Sequence, residues 1–311
     1  MAMPASLDRN LQVKKWSSLL RPLLDDLACP DASLEPLCGV KEAADDTLKL
    51  CVRDSSGLPR FAALLSSPLA PDLVARAMER AAAARRVLGF SLGQHVIQPL
   101  HTGVIEGRSF CVLPYLSPLR ERGPVARLQK HWLAPVLFEW LHGAAERTLA
   151  DVGSTGRELR FERPLEHLIS REGIPGRVRS AAEDALLGLR DGKWSARHVL
   201  MHGDMWAGNV MLEARGLGRR PHTVLIDWPG ALVRGYAIFD LVRLSRSFRI
   251  RPALLRRELE RHATLLSCNT DDTVAHLLAA LGQQGLDLEH FPVQRYLKMV
   301  EICFDTLSEA L

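Results

Sequence analysis

Three polar residues of the kinds that bind protons and metal ions lie in two short stretches of the second half of the chain. Asp204 and Asn209 belong to the first stretch, His198 to Leu212, and Asp227 belongs to the second, His222 to Asp240. Both stretches carry short apolar runs bounded by turn residues, which predict buried strands. Polar residues on loops between such strands more often do chemistry than packing. We therefore expect these three side chains to form a reactive site.

The chemistry that this set of residues fits best is phosphoryl transfer. The transferred group carries dense negative charge, so catalysis is mostly positioning and charge neutralisation. A carboxylate such as Asp204 can accept the proton of an attacking hydroxyl group. The oxygens of Asn209 and Asp227 can bind Mg²⁺, which prefers hard oxygen ligands and takes the remainder from phosphates and water. The sequence thus predicts Asp204 as the catalytic residue and Asn209 and Asp227 as metal ligands.

The order of these motifs resembles that of a known group of enzymes. The first stretch contains HGD-x4-N, which ends at Asn209, and the second contains IDW centred on Asp227. This combination is similar to that of the aminoglycoside phosphotransferase and choline kinase-like families. The resemblance implies that His202 supports the loop. The segment GYAIFDL, from Gly235 to Leu241, resembles their GDPxxDLA stretch, with Gly-Tyr in place of the GD pair. The resemblance in sequence is strong over residues 198–244. Elsewhere the resemblance is confined to the predicted architecture.

The resemblance implies an α+β, two-lobed protein-kinase-like fold. A small antiparallel β-sheet lobe that binds nucleotide would cover residues 1–116, including an N-terminal helix, and a larger, mainly helical catalytic and acceptor-binding lobe would cover 117–311. Hydrophobic periodicity and turn residues predict the individual elements. The predicted strands cover 47–53, 60–66, 96–100 and 109–114, and the predicted helices cover 7–27, 71–88, 129–149, 175–189, 274–281 and 293–307. The residues of helix 129–149 expected to face a core are Trp132, Val136, Leu137, Trp140, Leu141 and Ala144.

The resemblance also places an ATP site in the first lobe, where the sequence departs from the family pattern. The backbone at Pro114 and Leu116, near the predicted junction of the lobes, could hydrogen-bond an adenine ring. The third strand should carry a lysine that pairs with the nucleotide phosphates and with a helix glutamate. The candidate strand, FAALL at 61–65, has no lysine. Glu79 is the candidate glutamate, although a solvated helix charge explains it equally well.

Two basic residues could replace the missing lysine. Lys49, on the preceding strand, could reach the phosphates from a neighbouring position, and Arg60 could do so from the strand edge.

The candidate phosphate-binding loop, residues 37–44, has Gly39 as its one glycine, although backbone N–H groups need glycines to approach a ligand closely. Weak or lost nucleotide binding is the third alternative, and it would make the chain a kinase-like pseudoenzyme with a binding or regulatory role. The intact catalytic and metal-binding residues argue against it, because drift would erode them too.

Composition excludes several other classes of protein. The 311 residues are 47% hydrophobic without a low-complexity tract, which is typical of a globular chain large enough for two cores. No apolar run is long enough to cross a bilayer, and the N-terminus lacks the apolar centre of a secretory signal. The six cysteines are scattered, as expected for reduced thiols in a cytoplasmic protein. The net charge of +4 is no signal of nucleic-acid binding.

An arginine-rich segment follows the IDW motif. It is either a solvated basic face or a patch that attracts an anionic acceptor, and both readings disfavour a polycationic aminoglycoside. Its members are Arg234, Arg243, Arg246, Arg249, Arg251, Arg256, Arg257 and Arg261.

From these motifs together we predict an ATP-dependent, Mg²⁺-requiring kinase for a small hydroxyl compound. A sugar is the leading candidate, including the sugars of bacterial cell-surface polysaccharides.

Overall fold

The protein is described by a computed structural model that divides into two compact units. The structure describes residues 5–27, 29, 31–37, 47–213, 222–288 and 291–311. The first unit comprises residues 1–79, 97–117 and 212–224, and the second comprises 80–96, 118–211 and 225–311. Apart from Leu37, the candidate phosphate-binding loop at 37–44 lies outside the described residues. The lobe boundaries 1–116 and 117–311 remain a prediction.

The first unit contains a five-stranded antiparallel sheet, in the spatial order β1-β2-β3-β5-β4. Its strands are β1 Ser33–Pro36, β2 Leu48–Arg53, β3 Pro59–Leu65, β4 His101–Ile105 and β5 Arg108–Pro114. Helix α1, Ala5–Asp26, packs its Trp16, Leu20 and Leu24 against the sheet face that carries Leu50 and Val52. Side chains alternate between the two faces of a strand, so that Lys49, between Leu48 and Leu50, lies on the other face.

The predicted strand at 96–100 is wrong. Val96 forms only an isolated parallel bridge to Leu225, and the strand begins at His101 instead. The intervening Pro99 has no backbone N–H and cannot donate to a sheet ladder, which explains why regular pairing starts after it.

The second unit is mainly helical. Its helices are the second part of α2 Leu73–Gly93, then α3 Pro124–Thr148, α4 Ser154–Arg157, α5 Arg163–Ser170, α6 Gly176–Arg190, α7 Phe239–Phe248, α8 Pro252–Leu266, α9 Thr273–Leu286 and α10 Val293–Ser308. A π-helical turn, Glu158–Glu162, joins α4 to α5. The remaining strands among the described residues are β6 Ser117–Pro118, β7 Ala150–Asp151, β8 Arg197–Met201, β9 Val210–Glu213, β10 His222–Leu225 and β11 Leu232–Gly235, of which β7, β8 and β11 lie wholly in the second unit. Two of them, β9 and β10, are neighbours, as are β8 and β11. Within the described residues no helix is long and apolar enough to cross a membrane.

Helix α3 has two apolar faces, and the structure buries one of them. Trp140 is buried and its indole N–H donates to the carbonyl of Leu92 at 3.0 Å. Trp132 and Val136, in contrast, are 66% and 45% exposed, so the prediction that they face a core is wrong. Because both faces repeat at helical spacing, periodicity alone does not distinguish the buried one.

Two histidines buried in the second unit make its stability depend on pH. His276 of α9 packs between Phe161 and Trp194, and neither ring nitrogen has a hydrogen-bond partner among the described residues. Burial lowers the pKa of His276 and of His262 to about 4. Because the unfolded chain titrates near 6.5 and binds more protons below that pH, their stabilisation is present above about pH 6.5 and is lost as the pH falls towards 4.

We expect the free energy of unfolding to fall by about 2 to 3 kcal/mol per buried histidine between pH 7.5 and pH 4.5. Urea unfolding of the wild type and of His276→Leu at both pH values measures this loss. The variant should lose correspondingly less stability on acidification, because it has one group fewer to protonate. An equal loss in both proteins would contradict this assignment.

Candidate active site

A buried carboxylate fixes the start of the loop that carries Asp204. The loop follows β8, and the backbone N–H groups of His202 and Gly203 donate to the two oxygens of Asp240 at 2.5 and 3.0 Å. Asp240 lies in the first turn of α7 and is 3% exposed. Burial raises the pKa of this carboxyl, while the two N–H donors act in the opposite direction. The end of β8 is thereby attached to the beginning of α7.

The imidazole of His202 joins the same loop to the segment that carries Asp227. The N–H of Asp204 donates to Nδ1 at 3.3 Å, so that the ring proton is on Nε2, which lies 3.0 Å from the carbonyl oxygen of Ile226. The ring also packs against the buried Trp228, with centroids 4.4 Å apart. Burial lowers the pKa of His202, which favours the neutral ring that these bonds require. The geometry matches the supporting role expected for this histidine.

A close approach of two glycines completes the junction between the loops. Gly203 has a φ of 86°, and a Cβ at this position would lie 2.5 Å from the carbonyl oxygen of Gly230. Further along, the N–H of Ile226 donates to the carbonyl oxygen of Asn209 at 3.0 Å. The structure therefore holds the segments of Asp204, Asn209 and Asp227 side by side, within one compact unit.

The carboxylate of Asp204 is oriented by three donors. Arg243 of α7 donates to Oδ1 at 2.5 Å, and the indole N–H of Trp206 and the amide of Asn209 donate to Oδ2 at 3.2 and 3.0 Å. A carboxylate offers about four lone-pair sites, so one site on Oδ1 is left for another donor. The side chain is 44% exposed. An incoming hydroxyl group is a suitable donor for that site.

The predicted metal ligands are the amide oxygen of Asn209 and the carboxylate of Asp227. The Nδ2 of Asn209 donates to the main-chain and carboxylate oxygens of Asp204, which leaves Oδ1 as the atom that could bind a cation. Asp227 is exposed and has a φ of 68°, a left-handed conformation that costs a non-glycine residue about 1 to 2 kcal/mol. Residues held in such conformations cluster at functional sites.

The donor set fits magnesium rather than a transition metal. Among the described residues no three His, Cys, Asp or Glu side chains converge in a way that could hold a metal ion. One amide oxygen and one carboxylate are sufficient for Mg²⁺, because it keeps several waters and shares the oxygens of its nucleotide. A structural zinc site would need four nitrogen or sulfur ligands.

The predicted nucleotide-binding residues lie in the first unit. Lys49 on β2 is half-buried and lies directly opposite Leu64 of β3, on the same sheet face. Arg60, the other basic candidate, is exposed and lies 4.0 Å from the carboxylate of Asp54. Glu79 is an exposed residue of α2. Among the described residues no ion pair joins Lys49 to Glu79, so the structure does not bring these two together.

Pro114 and Leu116 mark the end of the same sheet. Pro114 is the last residue of β5 and lies opposite Phe61 of β3. Leu116 follows two residues later and is half-buried. Their backbone groups remain the candidates for hydrogen bonds to an adenine ring, and this assignment stays a prediction.

Two residues of the site were not singled out from the sequence. Asp240 belongs to the FDL segment that carries part of the resemblance, and Arg243 follows it by three positions, on the same face of α7. This helical spacing is the signal that could have separated Arg243 from the other arginines, because residues three apart on a helix are neighbours.

Comparisons with known proteins identify the family and the fold of the chain. The model of the phosphotransferase enzyme family matches residues 65–277. A comparison with curated protein sequences gives no significant match. The solved structures that resemble the chain include aminoglycoside 2'-phosphotransferase-IIIa in its GDP complex, with 12% identity, 96% of this chain and 99% of that chain covered and a TM-score of 0.57.

Two other solved structures give the same result. A putative fructosamine-3-kinase from Haemophilus somnus 129PT has 12% identity, with 95% of this chain and 97% of that chain covered and a TM-score of 0.54. A thermostable mutant of another aminoglycoside phosphotransferase has 14% identity, with 92% and 97% covered and a TM-score of 0.53. At such low identity these likenesses show a shared fold, and they confirm the predicted α+β, kinase-like fold.

Proposed function

Because the chain belongs to the phosphotransferase enzyme family, we propose that it transfers the γ-phosphoryl group of ATP to a hydroxyl group of a small molecule. The observation that carries this proposal is the junction of the two loops. It places an oriented carboxylate, Asp204, next to Asn209 and beside the segment of Asp227. Phosphoryl transfer requires such an arrangement, since its catalysis consists mostly of positioning and charge neutralisation.

In the proposed reaction Asp204 accepts the proton of the acceptor hydroxyl through the remaining lone pair of Oδ1. The hydroxyl oxygen forms a bond to the γ-phosphorus, the bond from this phosphorus to the bridging oxygen breaks, and ADP leaves with the electron pair. Asn209 and Asp227 would hold Mg²⁺, which when bound neutralises charge on the phosphates. Arg243 and Trp206 keep the Asp204 carboxylate in one orientation throughout.

Lys49 supports the nucleotide part of the proposal. The strand that would carry the phosphate-binding lysine is β3, and Lys49 is the cross-strand neighbour of Leu64 within it. Side chains directly opposite in an antiparallel pair lie about 5 Å apart at Cβ. A lysine on β2 can therefore present its ammonium group near the place that a lysine at position 64 would reach.

We expect Lys49→Ala to raise the KM for ATP about 10- to 100-fold, because a hydrogen bond to a charged group contributes about 1.5 to 3 kcal/mol. Arg60→Ala tests the other basic candidate, and because Arg60 is exposed and lies near the carboxylate of Asp54, we expect its KM for ATP to stay close to that of the wild type. Steady-state kinetics at varied ATP concentration measures both variants. Equal KM values for Lys49→Ala and the wild type would exclude this role for Lys49.

The alternative function is that of a catalytically weak or inactive kinase-like pseudoenzyme, which binds nucleotide weakly or not at all and acts as a binding or regulatory protein. One observation favours it, namely the absence of lysine from residues 61–65 of β3. Transfer of label from [γ-³²P]ATP or GTP to a panel of sugars and amino alcohols separates the two functions. A labelled, acceptor-dependent product supports the kinase. A protein that labels no member of the panel, and whose melting temperature millimolar Mg-ATP does not raise, would support the alternative.

A further inference from the structure

A half-buried lysine and an arginine lie together at the end of helix α7. The ammonium group of Lys130, on α3, donates to the carbonyl oxygen of Ser247 at 2.8 Å and lies 5.7 Å from the ring centroid of Phe248. Desolvation lowers the pKa of Lys130, and the positive charge of the nearby Arg249 lowers it further. The two cations thus repel each other in the free protein.

In the part of the chain that the structure describes, these two cations lack the acidic partners that some of the neighbouring arginines have. Arg243 pairs with Asp204, Arg256 with Glu260, and Arg261 with Glu139 and Glu258. Among the described residues, neither Lys130 nor Arg249 forms an ion pair with a carboxylate. The carbonyl groups at the end of α7 attract cations, but they occupy only one of the three ammonium donors of Lys130. A partly buried cation is normally paired, so the half-buried Lys130 indicates an anionic ligand, to which the exposed Arg249 would offer a second positive charge.

The pair of cations is joined directly to the catalytic loop. The N–H of Ala207, three residues after Asp204, donates to Oγ of Ser247 at 3.0 Å, and the carbonyl group of the same serine binds Lys130. Trp206, which is 41% exposed, lies between Asp204 and this contact in the chain. The end of α7 that Lys130 contacts is therefore bonded to the loop that carries Asp204.

We propose that Lys130 and Arg249 bind an anionic substituent of the phosphoryl acceptor, so that the acceptor is a hydroxyl compound carrying a phosphate or a carboxylate. This inference rests on the proposed function and defines the substrate class of the same site. Charge-assisted hydrogen bonds to phosphate or carboxylate are the strong ones in proteins. They would satisfy the free donors of both side chains and relieve the repulsion between them.

The test compares glucose, glucose 6-phosphate and glucuronate as ligands in calorimetric titrations of the full chain. The wild type should bind at least one of the two anionic sugars at least 10-fold more tightly than glucose. The double variant K130Q/R249Q should lose that preference. The control R251Q/R257Q, which removes two positive charges from the same arginine-rich segment, should keep it. A preference for glucose 6-phosphate over glucuronate identifies phosphate as the anion, and the reverse identifies carboxylate.

Either of two results would overturn the proposal. The wild type could show no preference for anionic sugars, or K130Q/R249Q could retain that preference. Because these titrations measure binding without turnover, they are independent of the kinase reaction. Retained, variant-sensitive binding of an anionic sugar in a protein that never transfers phosphate would contradict the proposed function and support the anion site.

Discussion

Replacing Asp204 by asparagine is expected to lower kcat about 10²- to 10⁴-fold, which is the usual contribution of a general base. The amide has nearly the same shape as the carboxylate but does not accept the hydroxyl proton. The loop should stay in place, because it is held by His202, Gly203 and Asp240 through contacts that do not involve this side chain. The melting-temperature increase caused by Mg-ATP should therefore be retained.

The measurement is the rate of ADP formation with a saturating acceptor, together with thermal unfolding of the variant with and without Mg-ATP. Asp191→Asn is a suitable control, because it removes one exposed carboxylate of the second unit that pairs with Lys193. Asp191→Asn should keep wild-type turnover. If Asp204→Asn kept a kcat within a few-fold of the wild type, Asp204 would not be the base.

The second large effect is expected for Gly203→Ala. The new methyl group would lie 2.5 Å from the carbonyl oxygen of Gly230, so the two loops would have to separate. A displacement of about 1 Å in a catalytic group can lower the rate about 10²-fold. We therefore expect kcat to fall by at least about that factor, through misplacement of Asp204 relative to Asp227. The positive φ adds strain of about 1 to 3 kcal/mol.

A variant of a second glycine distinguishes the effect of the contact with Gly230 from the effect of the positive φ. Gly192 has a φ of 71°, and no atom lies within 4 Å of the position that an added methyl group would occupy. Gly192→Ala should therefore be destabilised by the strain alone and keep its activity per folded molecule. Urea unfolding and kcat of both variants give the comparison. Full activity of Gly203→Ala would show that the loops do not depend on this close approach.

The fold and the loops of the site could be predicted because their signals are local in sequence. Asp204 and Asn209 are five residues apart, and Asp227 directly follows an apolar run, so residue type and spacing alone indicated one reactive centre. The kinase-like fold that the motifs implied is confirmed by the solved structures. The catalytic and metal-binding roles themselves stay predictions until variants are measured.

The remaining features depend on contacts between distant parts of the chain. Arg243 lies 39 residues after Asp204. The sequence alone does not show which of the eight arginines in this segment pairs with that carboxylate. The same holds for position 203, where glycine is required because a side chain would collide with the carbonyl group of Gly230. For Trp132, the apolar pattern of α3 was visible, but which of its two apolar faces is covered depends on the packing of other helices.

The most direct test of the account is the Mg²⁺ dependence of the melting-temperature increase that ATP causes. A ligand that binds the native state alone stabilises it by RT ln(1 + [L]/Kd). We expect ATP to raise the melting temperature of the wild type in Mg²⁺ much more than in EDTA, and Asp227→Asn to abolish this difference without unfolding. An ATP effect that is independent of Mg²⁺, or one that Asp227→Asn leaves unchanged, would contradict a shared metal site formed by the two loops.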